Sequence, residues 1–201
     1  MGVFVVFEGG EGAGKTTQAR VLARRLQREG NPAVLIREPG GTSLGESLRR
    51  RLKGRSDVNP LSELLLFMAA RAQLVEEVIV PRLRQGGSVV CDRFSASTLA
   101  YQGYGRGLSL ETIAELNQVA TGGLQPDLNV LLDITVVSGF ARKRDGGKDT
   151  FESQATEFHE RVREGYLKIA GGAPARWLVL DGAKPKDTIS GQVWENVKPL
   201  L

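Results

Sequence analysis

The eight residues Gly9-Gly10-Glu11-Gly12-Ala13-Gly14-Lys15-Thr16 carry the most explicit chemistry in this chain. The spacing G-x-x-x-x-G-K-[ST] lets a glycine-rich backbone curl until successive N–H groups point at one anion, with the positive end of a helix behind it. Lys15 is placed to reach terminal phosphates. The Thr16 hydroxyl is placed to join the shell of a Mg²⁺ ion, and Thr17 carries the loop into the helix. A nucleoside triphosphate is the expected ligand of Gly9 through Thr17. One residue is out of character: Glu11 is an acid in a loop built to hold anions.

Asp92 ends the apolar run "SVVC", where an acid commonly holds the metal of such a site through water, so Thr16 and Asp92 are the expected metal residues. The alternative for Asp92 is a cap on the next helix. Cys91 beside it reads as a core residue. Arg93 follows, a fixed positive charge suited to a second anion. Arg49 and Arg71 approach the same rim by spacing, and three guanidinium groups around a cleft would grip a monophosphate and shield phosphate–phosphate repulsion. Each alone also fits a solvated charge. Phe67 and Arg71 lie four apart, on one helical face, where a ring and a guanidinium suit a flat base and its carbonyl. Phe67 alone would equally suit a core.

Five Val-, Leu- and Ile-rich runs must position these groups: 3–7, 33–36, 88–91, 129–134 and 177–181. Their near-continuous apolarity suits strands covered on both faces. Helical patterns alternate with them at about 15–29, 43–53, 61–85, 109–121, 136–144, 153–170 and 186–197. The expectation is a single α/β domain over 1–201, a three-layer α/β/α phosphate-loop NTPase fold on a five-stranded parallel sheet. Ligands bind beyond the carboxyl ends of such strands, where Glu8, Arg37, Asp92, Asp133 and Asp181 fall.

Composition narrows the class. The chain has 201 residues, 41% hydrophobic and 25% charged, enough for a full core. One cysteine and one histidine exclude internal disulfides and clustered-imidazole metal chemistry. No apolar run reaches the ~20 residues of a membrane span and no signal-peptide pattern is evident, so a soluble cytoplasmic protein is expected. The net charge of +4 is spread over dispersed arginines, which favours small anions over nucleic acid. A switch GTPase would need N-K-x-D and D-x-x-G, and both are missing. A helicase-like motor should end a strand in D-E, where this chain has Asp92-Arg93.

"FEGGEGAGKTTQ", "REPGGT", "LLFMAARAQL", "DRFSASTLAYQG" and "QPDLNVLLDI", in that order and followed by "LDGAKP", closely resemble bacterial thymidylate kinases. The resemblance implies transfer of the ATP γ-phosphoryl group to dTMP, giving ADP and dTDP, with Mg²⁺, in dTTP biosynthesis. It implies that Phe67 stacks on thymine while Arg71, with Gln102 or Thr98, reads its polar edge. Arg93 and Arg49 would hold the acceptor phosphate, with Ser97 nearby, and Tyr101 would crowd the 2′ position of the sugar. Glu11 would accept a hydrogen bond from the acceptor's 3′-OH. A homodimer is implied too, in keeping with the helix at 61–85, which is apolar around much of its circumference.

Members of this family differ in where the catalytic cation sits. This chain has Gly12 where some place an arginine after the loop acid, so it resembles the branch that delivers arginine from a lid. The lid would be the segment at about 141–152, "ARKRDGGKDTFE", with Arg142 the first candidate and Arg144 the second beside Lys15 and Arg93. Thr150 stands where related chains usually carry an arginine, which leaves the division of labour among lid cations open. A kinase of another pyrimidine monophosphate and a nucleotide-binding regulatory module are the alternative functions.

Overall fold

Every expected strand forms, and all five pair in parallel in the order β2-β3-β1-β4-β5. The computed structural model describes residues 2–52, 58–144 and 153–201. The strands are β1 Phe4–Glu8, β2 Ala33–Arg37, β3 Ser88–Asp92, β4 Leu128–Asp133 and β5 Trp177–Asp181. The helices are α1 Lys15–Arg28, α2 Ser43–Leu52, α3 Pro60–Leu74, α4 Val80–Arg84, α5 Ser95–Thr98, α6 Leu110–Thr121, α7 Val136–Arg144, α8 Ser153–Gly172 and α9 Lys186–Val197.

The central strand shows why the runs are apolar throughout. Val5 and Phe7 of β1 pack with Leu22 and Leu26 of α1 and with Val193 and Trp194 of α9. Phe4 and Val6 point the other way, onto Leu74, Ile79 and Phe94. Farther along that second face, Leu131 of β4 meets Val162 and Tyr166 of α8. Side chains alternate across a strand, so a strand between two helical layers must be apolar at every position. Register then aligns the functional ends: Phe7 lies opposite Asp92, and Glu8 opposite Leu131. Glu8 is thus the last residue of β1 rather than the first beyond it.

Two helical regions depart from expectation. The helix expected over 61–85 is α3 and α4 joined by a π-helical stretch, Val75–Ile79. Pro81 is the cause: it lacks an N–H, and its ring would press on the carbonyl one turn back, so the preceding turn widens. The second departure is larger. No helix was expected between 88–91 and 109, yet α5 continues into a π-helical stretch, Leu99–Gly105, and this element carries Ser97, Thr98, Tyr101 and Gln102. Serine, threonine and glycine are weak helix formers, so local propensity hides it. Close packing explains the glycines: a Cβ on Gly103 would lie 2.4 Å from Leu110, and one on Gly105 2.6 Å from Phe158.

Candidate active site

The phosphate loop is shaped by what it touches. Gly12 has φ 68°, and a Cβ there would lie 1.9 Å from the Gly139 carbonyl oxygen of α7. A Cβ on Gly139 would lie 2.2 Å from the Glu11 carbonyl oxygen, so loop and α7 meet backbone to backbone. Gly14, left-handed at φ 92°, opens α1, and neither a side-chain cap nor a first-turn acid occupies that helix end. Its N–H groups suit an anion. The Lys15 ammonium folds back and donates to the Gly10 carbonyl at 2.6 Å. Burial, and then the neighbouring Arg93 charge, lower its pKa to about 7. The Thr16 hydroxyl donates to the Asp92 carboxylate.

Two cavities flank Arg93. The larger, about 430 Å³, is lined by Gly12, Gly14, Lys15, Thr16 and Thr17 together with Asp92 and Arg142. The smaller, about 220 Å³, contains Phe67, Arg71, Ser97, Thr98, Tyr101 and Gln102 in its wall. Glu11, Arg49 and Arg93 line both. All nine residues that the sequence assigns to an acceptor nucleotide therefore surround one cavity, although they come from the loop and from α2, α3 and the 93–102 segment.

Arg93 is the junction. Its backbone holds φ 74°, a strained value for a residue with a Cβ, directly after β3. Its guanidinium donates to Glu11 at 2.8 Å and to the Tyr101 hydroxyl at 3.1 Å. The other terminal nitrogen reaches the Gly9 carbonyl and the Tyr166 hydroxyl, both at 3.3 Å, and Ser97 at 3.4 Å. Desolvation opposes this charge, yet the surrounding Tyr101, Tyr166, Glu11 and Glu8 oxygens keep its pKa well above the usual value. Arg49 donates to the Pro39 carbonyl at 3.2 Å.

Arg71 is placed differently from a free reader of bases. It is almost wholly buried, with Nε and one terminal nitrogen on the Glu38 carboxylate at 2.9 and 2.6 Å. The remaining donors go to Phe94 O, Thr98 and Asn117. The guanidinium lines the cavity as a fixed charge whose N–H groups are already used. Burial pushes the Glu38 carboxyl above its ordinary range, against the pull of Arg71.

Sequence reasoning did not find Glu8 or Tyr166 as site residues. The Glu8 carboxylate is fully buried and accepts from Phe94 N at 2.9 Å, Ser97 N at 3.2 Å, the Ser97 hydroxyl at 2.6 Å and the Tyr166 hydroxyl at 2.9 Å. It caps the start of α5 from 86 to 89 residues away in sequence, which also removes the capping alternative for Asp92. A strand ending in an acid just ahead of the glycine loop was the available signal. Glu38 lay within the motif REPGGT with no role attached to it, and Glu63 and Asn117, which hold Gln102 and Arg71, gave no signal.

Arg142, on α7, donates to the Gly182 and Ala183 carbonyls at 2.7 and 3.2 Å and lines the larger cavity. Arg144 ends α7, and its side chain lies outside the described residues, as do Lys148 and Thr150. Among the described residues, no cluster of three or more His, Cys, Asp or Glu side chains suits a metal, and no helix is long and apolar enough to cross a membrane.

A profile of the thymidylate kinase family matches residues 7–193. The chain belongs to the thymidylate kinase family. It is 51% identical over 199 residues to a thymidylate kinase of Synechococcus sp. (strain JA-3-3Ab), covering 99% of this chain and 97% of that one. A thymidylate kinase of Deinococcus radiodurans is 46% identical over 198 residues, covering 98% and 96%. The crystal structure of thymidylate kinase from Ehrlichia chaffeensis superposes with a TM-score of 0.82 at 36% identity, covering 98% of both chains. Like that thymidylate kinase, the chain has the phosphate-loop NTPase fold.

The state of Lys15 makes nucleotide binding depend on pH. Without nucleotide the ammonium gives up its proton near pH 7, whereas a polyphosphate beside it favours the charged form. ATP affinity should be highest below about pH 7 and fall up to about tenfold per unit above it. Calorimetry at pH 8 in buffers of different ionisation heat should show up to about one proton taken up per ATP, and Lys15→Met should abolish that uptake.

Proposed function

We propose that this chain transfers the γ-phosphoryl group of ATP to the phosphate of dTMP, giving ADP and dTDP. The observation that carries the proposal is the shared wall of the two cavities: Glu11, Arg49 and Arg93 stand between the phosphate loop and the Phe67 cavity. Two anions brought end to end there need alignment and positive charge, and no protein nucleophile.

In this reading the loop amides and Lys15 hold the ATP phosphates. Phe67 stacks on the thymine, beside Arg71, Thr98 and Gln102. Arg93 and Arg49 take the acceptor phosphate, with Ser97 and Tyr101 steering the Arg93 guanidinium through their hydroxyls. Tyr101 narrows the space beside the sugar. Glu11, paired with Arg93 at 2.8 Å, accepts from the acceptor's 3′-OH and tempers the cation until the phosphate arrives. The Thr16–Asp92 pair fits a Mg²⁺ held mainly by phosphates and water, since such a site needs one hydroxyl and a nearby carboxylate rather than a protein cage. When bound, Mg²⁺ supplies charge neutralisation on the phosphates.

Mixing the protein with ATP, Mg²⁺ and single nucleoside monophosphates tests the substrate. ADP should appear with dTMP and stay near background with purine monophosphates. ADP formation that needs DNA and no acceptor would indicate a regulatory module instead.

The segment at about 141–152 serves as a lid that brings cations over the transferring phosphate, with Arg142 foremost. Arg142 itself is tied to the Gly182 and Ala183 carbonyls at the rim of the larger cavity. Arg142→Ala should lower kcat by about a hundredfold or more and change the Kd for ATP only a few-fold, as expected for charge that acts mainly in the transition state.

A cytoplasmic homodimer completes the reading. Leu61 and Leu65 of α3 are about half exposed and Val119 of α6 is 80% exposed, on helices that pack together. Ala69 and Ala72 extend the α3 stripe at helical spacing and are also exposed. A second copy covers this face. Light scattering at micromolar concentration should give twice the chain mass, and Leu65→Glu should shift the protein to monomer.

A further inference from the structure

Gln102 lines the base cavity, but which end of its amide faces the base is settled elsewhere. Its amide nitrogen donates to Glu63 Oε1 at 2.8 Å. Glu63, on α3, is buried and is not part of the cavity wall. The Arg106 guanidinium grips the same carboxylate bidentately, Nε to Oε1 at 3.0 Å and a terminal nitrogen to Oε2 at 3.1 Å. A carboxylate so paired has acceptor oxygens only, so the amide end turned to it must be the NH₂ group. The Gln102 amide oxygen accepts no hydrogen bond from the described residues and keeps contact with solvent. It is the polar atom that Gln102 has left to offer the cavity.

We propose that Glu63 is a specificity-determining positioning residue: by holding the Gln102 amide nitrogen it presents the amide oxygen as a hydrogen-bond acceptor in the base cavity. The class selected is a pyrimidine with a donor at N3. Thymine and uracil carry N3–H beside two carbonyls, and the donor meets the Gln102 oxygen while the Arg71 charge favours a carbonyl. Cytosine carries a lone pair at N3, which would face the amide oxygen with no proton between them, and its amino group would face a guanidinium. A polar site rejects a base that leaves its groups unpaired far more strongly than an apolar pocket rejects a misfit of size. Thr98 is less suited to this discrimination, because a hydroxyl donates or accepts as required and this one is already shared with Arg71, Ser95 and Asn117.

This inference rests on the proposed occupancy of the cavity by the acceptor base, and the test separates the two. Glu63→Gln keeps the side-chain size but can both donate and accept, so the Gln102 amide is free to turn its NH₂ group into the cavity. kcat/KM for dTMP, dUMP and dCMP is measured for wild type, Glu63→Gln and Arg106→Met, with the KM for ATP alongside. The dTMP-to-dCMP ratio should fall at least tenfold in Glu63→Gln, while the dTMP-to-dUMP ratio and the KM for ATP stay within about twofold. Arg106→Met, which removes the ion pair and leaves the Gln102 contact, should keep the wild-type selectivity. Equal losses for all three nucleotides in Glu63→Gln, or the same loss of selectivity in Arg106→Met, would overturn the assignment and leave Glu63 a structural acid. A wild type that phosphorylates none of the three overturns the functional reading itself, and this inference with it.

Discussion

The buried carboxylate of Glu8 is the constraint on which the rest of the site depends. An acid without solvent is costly unless donors replace the lost water, and four do so: two backbone amides at the start of α5, the Ser97 hydroxyl and the Tyr166 hydroxyl. Those donors sit on two separate elements, so satisfying one carboxylate fixes the end of β1, the start of α5 and the middle of α8 relative to one another. The phosphate loop leaves from the next residue. One wall of the smaller cavity is built on α5 and its continuation. The spacing of the two cavities is thereby set by the hydrogen bonds of a group that lines neither.

The second constraint is electrostatic. Two phosphorylated substrates repel, and the junction between the cavities answers with Arg93 and Arg49. A cluster of unpaired cations would be unstable in the absence of ligand, and Glu11 resolves this by lying against Arg93 from within the phosphate loop. The acid that looked out of place in a loop built for anions is a partner for the Arg93 guanidinium. Tyr101 and Tyr166 add neutral oxygens around the same charge, which orient it without cancelling it.

The third is steric. The Gly12–Gly139 contact leaves no room for a side chain on either partner, so α7 is seated directly on the phosphate loop. Arg142 lies one helical turn beyond Gly139 and is anchored to the loop after β5. An arginine at position 12, as in the other branch of the family, would drive α7 away from the loop. The glycine at position 12 and the closeness of the helix that carries Arg142 are two aspects of one packing choice.

The sequence by itself determined the parallel sheet and the phosphate loop, and it picked out nine residues that share the wall of one cavity. Strands covered on both faces must be apolar at every position, and a loop that wraps phosphate needs glycines at fixed spacing; both are local requirements written in consecutive residues. Ordered motifs around Arg49, Phe67, Arg71 and Arg93 likewise picked out residues that line the smaller cavity. Only the tertiary structure decided how those residues are used. The helix carrying Ser97 and Tyr101 has poor local propensity and is held by an acid more than eighty residues earlier. Arg71 proved to be saturated by Glu38, Phe94, Thr98 and Asn117, and the orientation of Gln102 is fixed by Glu63. Hydrogen bonds between distant segments leave no period or spacing in the chain, so the direction in which a polar side chain points is settled when the elements pack.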